Sequence, residues 1–122
     1  MLPVRDLGTG PNFFGLGARV ERLIHPVTVG SDQVGLSMAM MEPGDVVKRH
    51  RHSYEEAYYV VRGHGVMYLE GEGEIDLFPG RSVYIASMRI HGQRNTSTDE
   101  VLQIVCALAP PPLIGDVPEL FE

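Results

Sequence analysis

Two histidines and a glutamate share one short run of this chain: Gly44-Asp-Val-Val-Lys-Arg-His50-Arg-His52-Ser-Tyr-Glu-Glu56-Ala-Tyr-Tyr-Val-Val-Arg-Gly63. On a strand, residues i and i+2 point to the same face, so His50 and His52 aim into one space. A second strand after Ser53-Tyr54 brings Glu56 toward the same space, with the adjacent Glu55 as its competitor. Neutral imidazoles and a carboxylate are the donors that a borderline divalent metal takes. The run reads as most of a metal site.

Such a site needs strands to present it, and the chain around it supplies them. From Ala18 onward, short β-type runs alternate with turn signals. The runs are Ala18–Ile24, Val27–Val29, Val34–Met41, Val46–His52, Glu56–Arg62, Val66–Glu70, Ile75–Phe78, Ser82–Ala86, Ile90–Thr96 and Val101–Leu108. Breakers such as Pro43-Gly44, Gly71-Glu-Gly73 and Pro79-Gly80 separate them. Strands at this spacing indicate an all-β sandwich or barrel, and no stretch sustains a helical period. Residues 1–17 read as an irregular arm holding one short strand at most, with Phe13-Phe14 packing on the body or on a partner subunit. Residues 109–122, rich in proline, read as an extended surface tail that cannot continue a central strand. The barrel itself spans residues 18–108, and the whole is a single domain.

Composition narrows the classes of function. A net charge of −6 and a pI near 5.3 argue against a nucleic-acid partner or an anionic membrane surface. No apolar run is long enough to cross a bilayer or to act as a signal segment. Cys106 is the one cysteine, so no internal disulfide forms, and its apolar surroundings mark a buried strand. A cytoplasmic setting is the expectation. His25, before Pro26, and His64, between two glycines, read as exposed loop residues.

The spacing from Gly44 through His50, His52 and Glu56 to Gly63 resembles the first cupin motif, G-x5-H-x-H-x3-E-x6-G, at every fixed position. The second cupin motif, G-x5-P-x-G-x2-H-x3-N, lies over Gly80 to Asn95, where Gly80, His91 and Asn95 match. Ala86 stands in place of its proline and Met88 in place of its glycine. The resemblance implies an antiparallel double-stranded jelly-roll barrel with little helix. It also implies His50, His52, Glu56 and His91 as ligands of one divalent metal ion (Fe, Mn, Ni, Co, Cu or Zn), with open coordination positions. By the same likeness Glu56, not Glu55, faces inward. Arg89, beside the altered turn, would then stand near the barrel mouth and attract a substrate carboxylate.

Strand parity extends the site. Tyr58 and Val60 share the face of Glu56, and Gln93 that of His91. On Val34–Met41 either Leu36, Met38 and Met40 face inward or Ser37, Ala39 and Met41 do, and the more apolar first set is preferred. Met38, Met40, Val60 and Arg89 then line a pocket for a small organic substrate, with Tyr58 and Gln93 as the groups for proton transfer. The resemblance most often implies a metal-dependent oxygenase. The alternatives are a redox-neutral decarboxylase, lyase, isomerase or cyclase, and a non-catalytic binder of small molecules. A homodimer is expected by analogy with other small cupins.

Overall fold

The computed structural model describes residues 2–113 and 118–121. Two antiparallel sheets enclose one core, and the all-β jelly-roll expectation is met. The larger sheet holds β1 (Asn12–Phe13), β2 (Arg19–Ile24), β3 (Gly35–Met41), β5 (Glu55–Arg62), β8 (Ser82–Ile85) and β10 (Leu102–Ala109), in the order β1-β2-β3-β10-β5-β8. The smaller holds β4 (Val46–Arg51), β6 (Gly65–Leu69), β7 (Gly73–Leu77), β9 (His91–Asn95) and β11 (Glu119–Leu120), in the order β11-β4-β9-β6-β7.

From β3 onward the chain crosses between sheets at almost every connection, the β6–β7 hairpin excepted. Residues close in sequence therefore face one another across the barrel. Met41, Val60, Ile104 and Cys106 from one sheet pack with Val47, Met67, Leu69 and Leu77 from the other. Burying such side chains is the main favourable term, at about 1.5–3 kcal/mol each.

Glycines sit where the crossings demand them. Gly44 takes φ 82° in the turn before β4, a region that L side chains avoid. Gly63 has φ 86°, and a Cβ there would lie 2.2 Å from the Val101 carbonyl oxygen. The motif glycines thus close the two ends of the ligand-bearing β4–β5 segment for steric reasons.

The structure corrects three local expectations. Val27–Val29 is not a strand but part of a single helical turn, α1 (Pro26–Val29). Proline supplies its first residue and His25 caps it, accepting from the Val27 N–H through Nδ1 at 3.2 Å. His25 is accordingly buried, not exposed; its Nε2 donates to the Pro112 carbonyl at 2.8 Å. The start of the proline-rich segment is likewise no surface arm: Pro111 and Pro112 are buried against the barrel, and β11 pairs with β4. Of the expected tail, residues 114–117 and 122 lie outside the described residues.

Met88 takes φ 65°, the only non-glycine among the described residues to do so. Its N–H donates to the His52 carbonyl at 2.8 Å, so the turn before β9 is tied to the end of β4. A left-handed conformation costs an L residue roughly 1–2 kcal/mol. Met88→Gly is expected to raise stability by about 1 kcal/mol in chemical denaturation.

His25 makes a second prediction. Burial, then the nearby Arg22 charge, holds its pKa below 6.5, against the opposing hydrogen bond to Pro112. The unfolded chain therefore binds the extra proton first, and stability falls as pH drops below about 6.5. Asparagine would keep the cap but not this linkage. His25→Asn should flatten the loss of unfolding free energy between about pH 6.5 and 5, while weakening the fold at pH 7 by about 1 kcal/mol.

Candidate metal centre

Three imidazoles converge from both sides of one crossover. His50 lies on β4, His52 just past its end and His91 at the start of β9; all three are buried. Opposite His50 in the β4–β9 ladder is His91, and their ring centroids are 4.2 Å apart. The His52 ring lies 5.5 Å from His50 and 4.9 Å from His91. One ligand nitrogen from each comes within 4.8 Å of the other two.

The same local device orients each ring. Nδ1 of His50 meets the Lys48 carbonyl at 2.7 Å, that of His52 the Tyr54 carbonyl at 2.9 Å, and that of His91 the Arg89 carbonyl at 2.9 Å. In every case the acceptor is two residues away along the chain. Donation from Nδ1 leaves Nε2 as the ligating atom and fixes the ring plane. Tyr54 adds a stacked ring over His52, 3.7 Å between centroids and 5° from parallel.

Glu56, and not Glu55, faces the histidines. Its Oε1 lies 3.0 Å from His52 Nε2 and 3.4 Å from His91 Nε2. Glu55 is exposed and accepts from the Tyr84 hydroxyl. Burial would raise the Glu56 pKa, but the imidazoles of His52 and His91 beside its oxygen outweigh burial and hold the carboxyl below its usual range. His50 is pushed down to about 4 by burial and then by His91, so its imidazole is neutral and free to ligate at pH 7.

These residues fit a divalent cation. The Nε2 of His91 is fully buried and makes no hydrogen bond among the described residues. A buried, unsatisfied nitrogen carries a penalty of about 1–3 kcal/mol that ligation would remove. Three nitrogen donors clustered this tightly suit the borderline first-row metals, and a carboxylate lies at their edge.

The centre opens into a cavity of about 70 Å³. Phe13, Leu16, Val20 and Ala39 give it apolar walls; Arg22, Ser37, Tyr58, Gln93 and Cys106 add polar groups. Tyr58 and Gln93 lie where parity placed them, both buried, with the phenol oxygen 3.3 Å from Gln93 Nε2 and 3.5 Å from its Oε1. Val60 points inward but sits in the core cluster instead of on the cavity wall.

Two expectations about the lining are corrected. Met38 and Met40 face out of the barrel, and Ser37, Ala39 and Met41 are the buried set on β3. The larger sheet is apolar on both faces here, with Leu36, Met38 and Met40 backed by Val105 and Tyr59, so hydrophobicity could not choose the register. Arg89 is not at the pocket either. The turn through Met88 breaks strand parity, and Arg89 donates to the Glu70 carbonyl at 2.8 Å and reaches Glu72 at 3.3 Å. Asn95 holds loops together, donating to the carbonyls of Met41 and Glu100. Sequence reasoning missed Arg22, Ser37 and Tyr54. The alternation Val20-Glu21-Arg22-Leu23 carried the signal for Arg22, but it names a face only once Glu21 is seen buried beneath the N-terminal arm, accepting from Gly8 and Gly10.

Metal loading tests the assignment. After stripping with chelator and reloading, wild type should hold one divalent ion per chain by elemental analysis. His50→Ala, His52→Ala and His91→Ala should each lose it. Glu56→Gln should retain the ion with affinity roughly 10–100-fold lower.

The comparisons with known proteins agree with this geometry. The family model described as "Cupin domain" matches residues 37–107. Polyketide synthase CurC of Streptomyces cyaneus is 33% identical over 104 residues, covering 83% of this chain and 67% of that protein. Auxin-binding protein T85 of Nicotiana tabacum is 28% identical over 121 residues, covering 90% of this chain and 65% of that protein. The chain thus spans about two thirds of the length of these relatives. Among solved structures, the polyketide cyclase RemF from Streptomyces resistomycificus superposes with a TM-score of 0.80 at 19% identity, covering all of this chain and 87% of that one. Two sheets crossing at three inward histidines and a family match over most of the barrel lead to one conclusion: this chain belongs to the cupin family.

Proposed function

We propose that this protein is a metal-dependent enzyme acting on a small organic molecule by redox-neutral chemistry of the lyase, isomerase or cyclase kind. The observation that carries the reading is a buried phenol, Tyr58, that lines the cavity beside the histidine cluster. Burial, reinforced by the Glu56 charge, lifts the Tyr58 pKa well above 10, so the hydroxyl keeps its proton at neutral pH. The Tyr58 ring stands edge-on to His91, with centroids 6.3 Å apart. A group that holds a proton next to a Lewis-acid site is a donor to a substrate oxygen or carbanion.

His50, His52 and His91 would hold the metal, with Glu56 completing the set; when bound, the ion supplies Lewis-acid polarisation of a substrate oxygen. The protein's own groups do the remaining work. Gln93 lies at the long edge of hydrogen-bonding range from Tyr58, so either side chain can turn to an incoming oxygen at little cost. Phe13, Leu16, Val20 and Ala39 exclude water and strengthen the electrostatics inside. The volume of about 70 Å³ is well below the roughly 300–1,000 Å³ of sites for drug-sized ligands, so the cavity takes a small molecule or one end of a larger one.

The oxygenase expectation rests on the same ligands. The redox-neutral reading is preferred because Tyr58, oriented by Gln93, offers a proton donor at the cavity, and because relatives in sequence and fold include a polyketide synthase and a polyketide cyclase. Incubating metal-loaded protein with panels of small oxo and hydroxy acids, with products read by mass spectrometry, separates the two. Products that are isomers of substrate, or that have lost water or carbon dioxide, should form equally well without dioxygen. Gain of oxygen atoms, or loss of turnover under anaerobic conditions, would establish the oxygenase instead. Tyr58→Phe should lower kcat by roughly 10²–10⁴ while leaving metal content unchanged.

A further inference from the structure

Arg22 is the cation of the cavity, and nothing among the described residues neutralises it. It lies on β2, where Glu21 and Leu23 are buried on the other side, so Val20 and Arg22 face inward to line the cavity with the histidines. Its guanidinium belongs to none of the ion pairs among the described residues. The carboxylate that shares the cavity, Glu56, is already engaged by His52. A half-buried guanidinium between Phe13, Leu16 and Val20 is costly unless a counter-charge joins it.

Its surroundings leave room for that counter-charge. The Phe13 ring lies 5.2 Å from Arg22 Cζ, a cation–π contact that occupies one face of the guanidinium. Stacking on the face leaves the N–H edge, which matches a carboxylate with two parallel hydrogen bonds. Ser37 is the cross-strand partner of Arg22 and faces the same cavity. It is 2% exposed, and its hydroxyl makes no hydrogen bond among the described residues. A fork of charged donors and a buried, unspent hydroxyl side by side make a cradle for an anionic oxygen pair.

We propose that Arg22 and Ser37 form the anion subsite of this cavity, so that the ligand is a small carboxylic acid. Its carboxylate lies on Arg22 and Ser37, and a second oxygen at its other end faces the histidine cluster. The proposal rests on the metal-enzyme reading above and narrows its substrate class. It also moves to Arg22 the role that sequence reasoning had given to Arg89. Phosphate monoesters are disfavoured because the cavity offers a single guanidinium and no glycine-rich loop.

Calorimetric titration of cobalt-loaded protein with malonate, succinate and glutarate, each against its monoamide, tests this. In wild type at least one diacid should bind about ten-fold or more tighter than its monoamide. Arg22→Met should erase that preference while keeping cobalt and the weaker monoamide binding. Arg22→Lys should keep part of the preference, since the charge remains and the fork is lost. Ser37→Ala should weaken the diacid a few-fold, and serves where Arg22→Met does not fold. Cobalt-loaded wild type with no preference for any diacid, or a folded Arg22→Met that retains it, overturns the anion subsite and leaves the metal centre standing. Wild type that takes up no cobalt overturns the metal-enzyme reading and the subsite with it.

Discussion

Three hydrogen bonds from imidazole Nδ1 to carbonyls two residues away hold this molecule's chemistry in place. Each is local, made within β4, within the bend after it, or from the first residue of β9 to the turn before it. Together they point three Nε2 atoms at one region, where burial makes any unsatisfied nitrogen costly. The centre is therefore built at the expense of stability, and the core must offset it. Met41, Met67, Leu77, Ile85, Leu102 and Ile104, all almost fully buried, supply that offset.

The barrel's crossings explain why the site is rigid. β4 and β9 are neighbours in the smaller sheet, so His50 and His91 are set by one ladder. That ladder shifts register between Val47 and His50, which lets Val47 and His50 both turn inward although they are three residues apart. Glu56, Tyr58 and Cys106 approach from the larger sheet. Glu56 reaches two histidines because β5 follows β4 after a short bend and lies across the barrel from it. The Met88 N–H then ties the approach to β9 back to the His52 carbonyl. Among the described residues no helix is long and apolar enough to cross a membrane.

The cavity divides its labour by wall. The smaller sheet contributes Val47, His50 and Gln93, with His91 beside His50 in the adjoining candidate metal cluster. The larger sheet contributes Arg22, Ser37, Ala39, Tyr58 and Cys106, which set polarity and shape. Burial, and then Glu56, lifts the Cys106 thiol well above its usual pKa, so at neutral pH it is an inert wall atom and not a competing thiolate ligand.

Spacing carried His50 and His52, because a strand's period of two leaves little freedom in where such side chains point, and the cupin-like spacing chose Glu56 over Glu55. Likeness of motif carried His91, and the breakers between runs carried the all-β class. Other features could not be read from the chain. Met38 and Met40 were placed inward because a sheet apolar on both faces has no hydrophobic signal for register. Arg89 was placed at the mouth because parity was continued through a turn that breaks it. His25 seemed exposed because its buried partner, Pro112, is distant in sequence. The chain by itself named the candidate metal ligands, because strand period and motif spacing are properties of the sequence. Which side chains form the cavity's other wall was decided by the packing of distant strands, because only tertiary contact tells an apolar sheet which of its faces is the inside.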